Sequence, residues 1–134
     1  MENPRVIIDT DILVDFLRNK HQATLFIRHL EEKNCLLSTT TINAFELYYG
    51  AHKSPNPEKT LYPTTQLLNR LFLMPLTPKS AQKAGHIYAV LEKQGQPIGL
   101  RDTLIGAIAL TRNCSVATRN TEHFQKITDL KLIH

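Results

Sequence analysis

Hydrophobic residues fall in this chain either as short unbroken runs or at three-to-four-residue spacing, and the two patterns take turns along its length. Val6-Ile7-Ile8 is the first run, β-branched throughout and stopped by Asp9, as expected of a strand buried on both faces of a parallel sheet. Ile12, Leu13, Phe16 and Leu17 then repeat at helical spacing, predicting a short helix to about Asn19. Leu25, Phe26, Ile27 and Leu30 predict a second, which stops near Asn34, and Cys35 to Ser38 reads as the next strand. Thr39, Thr40 and Thr41 offer N-caps for a helix carrying Ile42, Phe45, Leu47, Tyr48 and Tyr49.

From His52 to Gln66 the chain turns polar and holds Pro55, Pro57 and Pro63, which predicts a loop, a helix start near Pro57 and a break at Pro63. Leu67 to Phe72 resume a helix. Leu73-Met74-Pro75-Leu76 is a strand that its proline confines to an edge or to one end. Thr77-Pro78 begins a helix whose inner face is Ala81, Ala84, Ile87, Tyr88 and Leu91, ending at Gly95. After a turn, Leu100 to Leu110 is a small-residue helix. Ser115 to Thr118 is a fourth strand, Glu122-His123-Phe124 a helical turn, and Leu130 to Ile133 a fifth strand. Strands alternating with helices imply a three-layer α/β/α sandwich around a mostly parallel sheet of about five strands, in a single domain over residues 1–134.

Composition adds three constraints. The formal charge is +4, a modest basic balance that favours an acidic partner or merely solvates the surface. Cys35 and Cys114 lie among apolar residues with no paired motif, so both read as buried, reduced thiols. No apolar run approaches membrane-spanning length, and the opening Met-Glu-Asn-Pro-Arg leads straight into a strand, so the expected location is the cytoplasm.

Chemistry is predicted where strands end. In open α/β sheets the reactive crevice lies outside the carboxyl ends of the strands, and Asp9 after the first strand, Glu46 in the helix after the second, Asp102 opening a helix and Asn120 after the fourth strand all map there. Ionised carboxylates gathered together repel unless a cation neutralises them, and oxygen ligands of this kind suit Mg²⁺ or Mn²⁺. A hydrolytic nuclease site follows. The competing readings are local: Asp9 or Asp11 as a helix cap, and Asn43-x-x-Glu46 as a capping box. The six histidines lack zinc-binding spacing, and no P-loop, nucleophile elbow or dinucleotide fingerprint occurs.

Ile7 to Leu13, Thr41 to Leu47 with Gly50, Arg101 to Ala107, and Ala117 to Asn120 with His123-Phe124 resemble the successive motifs of PIN-domain ribonucleases. Within that family the short chain resembles the toxin of a VapBC toxin–antitoxin pair. The resemblance implies a Mg²⁺-dependent endoribonuclease, homodimeric and restrained by a VapB-type antitoxin. It implies Asp9 and Asp102 as principal metal ligands, Glu46 completing the acidic group, and Asn120 at the family's fourth acidic position. Asn120 brings a carbonyl but no charge, which Asp11 would offset.

Setting Asp9, Asp11, Glu46 and Asp102 apart leaves 16 basic against 8 acidic side chains, an excess able to hold an RNA backbone. Arg101, Arg119, Arg18 and Lys20 are the candidates for phosphate contact. Thr10 and Thr118, next to strand ends, are placed to hydrogen-bond a ligand water or a carboxylate, but are expected first to satisfy their own local backbone. Three alternatives stand beside the toxin reading. One is a catalytically weakened RNA- or protein-binding module; another is an RNA-processing nuclease with no antitoxin. The third is a haloacid-dehalogenase-like phosphatase, which shares the Asp9-Thr10-Asp11 opening but lacks a later acidic pair.

Overall fold

The computed structural model describes residues 3–133. Met1, Glu2 and His134, the ends of the expected domain, lie outside the described residues. Among the described residues five strands form one sheet: β1 (Arg5–Ile8), β2 (Leu36–Thr40), β3 (Phe72–Met74), β4 (Ser115–Ala117) and β5 (Leu132–Ile133). Every pairing is parallel and the spatial order is β3-β2-β1-β4-β5. The helices are α1 (Thr10–Leu17), α2 (His21–Glu32), α3 (Thr41–Lys53), α4 (Pro57–Asn69), α5 (Pro78–Lys93), α6 (Leu100–Thr111) and α7 (Thr121–Phe124).

Successive side chains of β1 point to opposite faces, and each face meets its own core. Val6 and Ile8 join Leu13, Ile27, Leu30, Leu47, Leu67 and Leu68 from α1 to α4, whereas Ile7 joins Ile87, Leu91, Ile105 and Ile108 from α5 and α6. The result is the three-layer sandwich expected. Central β1 has β2 on one side and β4 on the other, so the chain reverses its winding beside β1 and opens a crevice at the strands' carboxyl ends.

Local chemistry sets the boundaries. Thr40 caps α3 and Thr77 caps α5, each reciprocally with the residue three positions on, Asn43 and Ser80. Asn19, Asn34 and Asn113 turn the chain after α1, α2 and α6 at positive φ, which asparagine tolerates better than any other residue except glycine; Gly95 does so after α5.

Several expectations are corrected. No long loop follows His52: α3 runs to Lys53, and α4 continues through Pro63 without a break. Pro63 lies on the solvent face, where water can satisfy the carbonyl that the ring leaves unbonded. Ala81 is exposed, and the inner face of α5 is Ser80, Ala84, Ile87 and Leu91. Phe45 and Tyr49 are exposed and stacked on one another outside the core. Cys114 is buried but Cys35 only partly so, and both are free thiols. Among the described residues no helix is long and apolar enough to cross a membrane.

Candidate metal centre

The carboxyl ends of β1, β2 and β4 deliver the site. Asp9 follows β1 directly, at the N-cap of α1, and is almost fully buried. Its Oδ1 accepts from Thr10 N at 2.8 Å and Asn43 Nδ2 at 3.1 Å, and its Oδ2 accepts from Thr118 Oγ1 at 2.7 Å. The expected capping role is therefore real, and it uses only part of one oxygen. Glu46 projects from α3, and its Oε1 accepts from Thr10 Oγ1 at 2.6 Å. Its capping-box alternative fails because Thr40 and Asn43 make that box between themselves. Asp102 stands in the first turn of α6, buried, with Oδ2 accepting from Asn120 Nδ2 at 3.2 Å and held against His123 Nδ1 at 2.9 Å.

One guanidinium joins the three acids. Arg101 Nη2 donates to Asp9 Oδ1 at 2.5 Å, Nε to Glu46 Oε2 at 2.7 Å and Nη1 to Asp102 Oδ1 at 2.5 Å. Burial works against the charge of this side chain, but the bonds to Glu46 and Asp9 and their negative charges outweigh it, holding Arg101 firmly protonated. Among the described residues no three His, Cys, Asp or Glu side chains are already drawn together to hold one ion. The donors nonetheless suit a hard divalent cation, since they are carboxylates and an amide, and a single cationic group already reaches all three acids.

The remaining candidates fall around this centre. Asp11 lies beside it, outside the arginine-bridged trio, accepting from Ile12 N at 2.8 Å and Arg119 N at 3.1 Å. Burial and the charge of Asp9 both push its carboxyl up from the usual range. Arg119 pairs with Asp15. Arg18 lines a groove of about 280 Å³ with Leu17, Glu46, Leu47 and Thr64, which opens beside the acids. Lys20 lies beyond the far end of α1, roughly 12 Å of helix away. Arg101 faces the carboxylates instead of an open rim. A larger cleft, lined by Arg5, Cys35, Leu36, Arg70 and Phe72, lies at the opposite edge of the sheet, away from every candidate acid.

Two residues were not singled out for the site. Asn43 is fully buried and bonds both Asp9 and Thr10, a position its three-residue spacing from Thr40 foreshadows. His123 touches Asp102, and only the nearness of Asn120 in sequence hints at it. Thr10 turns its hydroxyl to the Glu46 carboxylate, and Thr118 donates to Asp9 while also accepting from the local backbone N–H of Asn120 at 3.0 Å, because each sits where a strand ends beside an acid.

Residues 6–130 match the family model described as the PIN domain, and the chain accordingly belongs to the PIN-domain family. Within it, the resemblance to VapC nucleases runs along nearly the whole chain. The sequence is 29% identical over 127 residues to the tRNA(fMet)-specific endonuclease VapC of Shigella flexneri, covering 95% of each chain. It is 31% identical over 127 residues to ribonuclease VapC2 of Rickettsia felis, covering 94% of each. The fold matches VapBC2 of Rickettsia felis bound to a promoter DNA fragment with a TM-score of 0.88 at 27% identity, over 96% of this chain and 97% of that one. It also matches VapBC-1 of nontypeable Haemophilus influenzae with a TM-score of 0.86 at 28% identity, over 96% of each. The phosphatase reading falls with this assignment, and Asp11 engages backbone N–H groups.

Proposed function

We propose that this chain is a Mg²⁺-dependent endoribonuclease, with Mn²⁺ able to substitute, built as one nuclease domain over residues 1–134. It acts in the cytoplasm as the toxin of a VapBC-type pair. The observation that carries this reading is the meeting of Asp9, Glu46 and Asp102, from three separate elements, on one cationic group at the carboxyl edge of the sheet. The VapC relatives and the VapBC complexes of the same fold support the substrate class and the antitoxin partner.

Asp9 and Asp102 would hold the ion, Glu46 would complete its ligation directly or through water, Asn120 would add an amide oxygen, and Asp11 would add charge beside it. When bound, a divalent ion supplies positive charge against the scissile phosphate and acidifies a bound water. Thr118 and Asn43 fix the orientation of Asp9, and His123 with Asn120 fixes that of Asp102. Glu46 is the most exposed of the three acids, with Thr10 restraining one oxygen. It accepts the proton of the attacking water, whose oxygen displaces a ribose oxygen from phosphorus. Arg119, Arg18 and Lys20 contribute to holding the RNA, and two copies form a dimer.

Cleavage of a labelled RNA panel that includes tRNA tests the reading. Wild-type protein cuts with Mg²⁺ or Mn²⁺ and not with EDTA, and Asp102→Asn lowers the rate by roughly 100-fold or more. Intact RNA with both metals would leave only a binding module. Growth arrest on expression should be relieved by a cognate antitoxin; cleavage without such a partner would make the protein an RNA-processing nuclease.

A further inference from the structure

We propose that Arg101 is a built-in competitor for the divalent ion: its guanidinium occupies the acids' shared face in the metal-free protein and withdraws when the ion binds. This rests on the metal-site reading above and concerns what the chain does before the ion arrives.

The oxygens of the three acids divide into two sets. Asp9 Oδ2, Glu46 Oε1 and Asp102 Oδ2 are taken by Thr118, by Thr10, and by Asn120 with His123. Their counterparts, Asp9 Oδ1, Glu46 Oε2 and Asp102 Oδ1, all receive Arg101. For Glu46 and Asp102 neighbouring protein groups thus anchor one oxygen and the guanidinium holds the other, while Asp9 Oδ1 shares Arg101 with Thr10 N and Asn43 Nδ2. An ion drawing on all three acids has to meet them on the face where the guanidinium lies. The two cations would also repel at such close range.

Charge decides which cation wins. One guanidinium offsets one of three negative charges, so the acids remain under-neutralised, whereas a divalent ion offsets two. Position points the same way. Arg101 is in the first turn of α6, where the helix dipole disfavours a cation, so the acids are what keep it there. Its side chain is 31% exposed, which leaves it a path into solvent without moving the helix. Buried carboxylates with no counter-charge are costly, so the resident arginine keeps the metal-free site folded at the expense of metal affinity.

Calorimetric titration of Mn²⁺ into metal-free wild type and Arg101→Gln tests the proposal. Arg101→Gln should bind Mn²⁺ at least tenfold more tightly, melt at a lower temperature in EDTA, and gain more melting temperature from Mn²⁺ than wild type. Equal or weaker Mn²⁺ binding by a folded Arg101→Gln would overturn it. Should that variant not fold without metal, the wild type carries the test through the Arg101 Nε–H resonance during Mg²⁺ titration. The resonance is expected to move from a protected to a solvent-exchanging state as Mg²⁺ binds; an unchanged signal at saturation would overturn the competition. Asp102→Asn separates the two readings. If Mn²⁺ binding is indifferent to Asp102→Asn, the metal-site assignment itself fails; if it is lost in Asp102→Asn yet insensitive to Arg101→Gln, only the competition fails.

Discussion

Asn43 uses its whole side chain. Its amide nitrogen donates to Asp9 Oδ1 and Thr10 Oγ1, and its oxygen accepts from the backbone and hydroxyl of Thr40. Asn43→Ala removes these partners from a fully buried position and takes the reciprocal half of the α3 capping box with them, so urea unfolding should show a loss of about 2–4 kcal/mol. Asp11 makes the opposite case. Its carboxyl is raised by burial and by the charge of Asp9, so its contribution is fully present below the unfolded value near 3.8 and is lost as pH rises through the higher folded one. Asp11→Asn should therefore raise the melting temperature at neutral pH in EDTA, with the gain vanishing in acid; a gain that persists at low pH would refute this cause. Asp9 and Asp102 were legible because one stands where an apolar run stops and the other where a helix begins, and Glu46 because it is an acid among the apolar positions inside a helix. Asn43 and His123 were not, because their roles depend on partners brought close only by folding: Asn43 meets an acid 34 positions away.

At the scale of elements, α6 packs so closely that its glycine has no room for a side chain. A Cβ on Gly106 would lie 2.5 Å from Ile127 Cδ1, and Ile127 is itself buried in the core. Gly106→Ala gains about 1 kcal/mol of helix propensity but forces this contact, for a net loss of about 1–2 kcal/mol. Ile127→Val removes the offending methyl, so the double variant should be more stable than the sum of the two single changes; strict additivity would refute the clash. The small residues of α6 announced such packing. The run around Pro63 misled because a proline inside a helix costs a backbone bond, yet here Pro63 faces solvent, where water can take the freed carbonyl, and Thr64 Oγ1 bonds back to Thr60 O at 2.8 Å. Pro63→Ala restores a backbone donor in an already formed helix and should stabilise by about 1–2 kcal/mol in urea unfolding. Strand order was legible only as a class: alternation implied a parallel sheet, but which strand lies beside β1 depends on contacts far apart in sequence.

Over the whole molecule, four acids concentrate at one edge of the sheet with Arg101 among them, while the remaining sequence carries 15 basic against 8 acidic side chains, so the proposed electrostatic footprint for RNA lies around the pocket and outside it. Binding through such a surface releases counterions from the RNA, and affinity must then fall linearly with the logarithm of salt, with a slope of about −0.7 per phosphate neutralised on a single strand. A Glu46→Gln protein, which holds RNA without the proposed proton acceptor, is the form to measure by fluorescence anisotropy. Arg18 shares a groove with Glu46, whereas Lys20 stands a helix length from the acids, so the two cations separate local from general attraction. Arg18→Gln should make the slope shallower by about 0.7, as expected for one lost phosphate contact, and Lys20→Gln should leave it unchanged. Equal effects from both would mean that RNA is held by the basic surface at large and that the groove beside Glu46 gives it no fixed path to the acids.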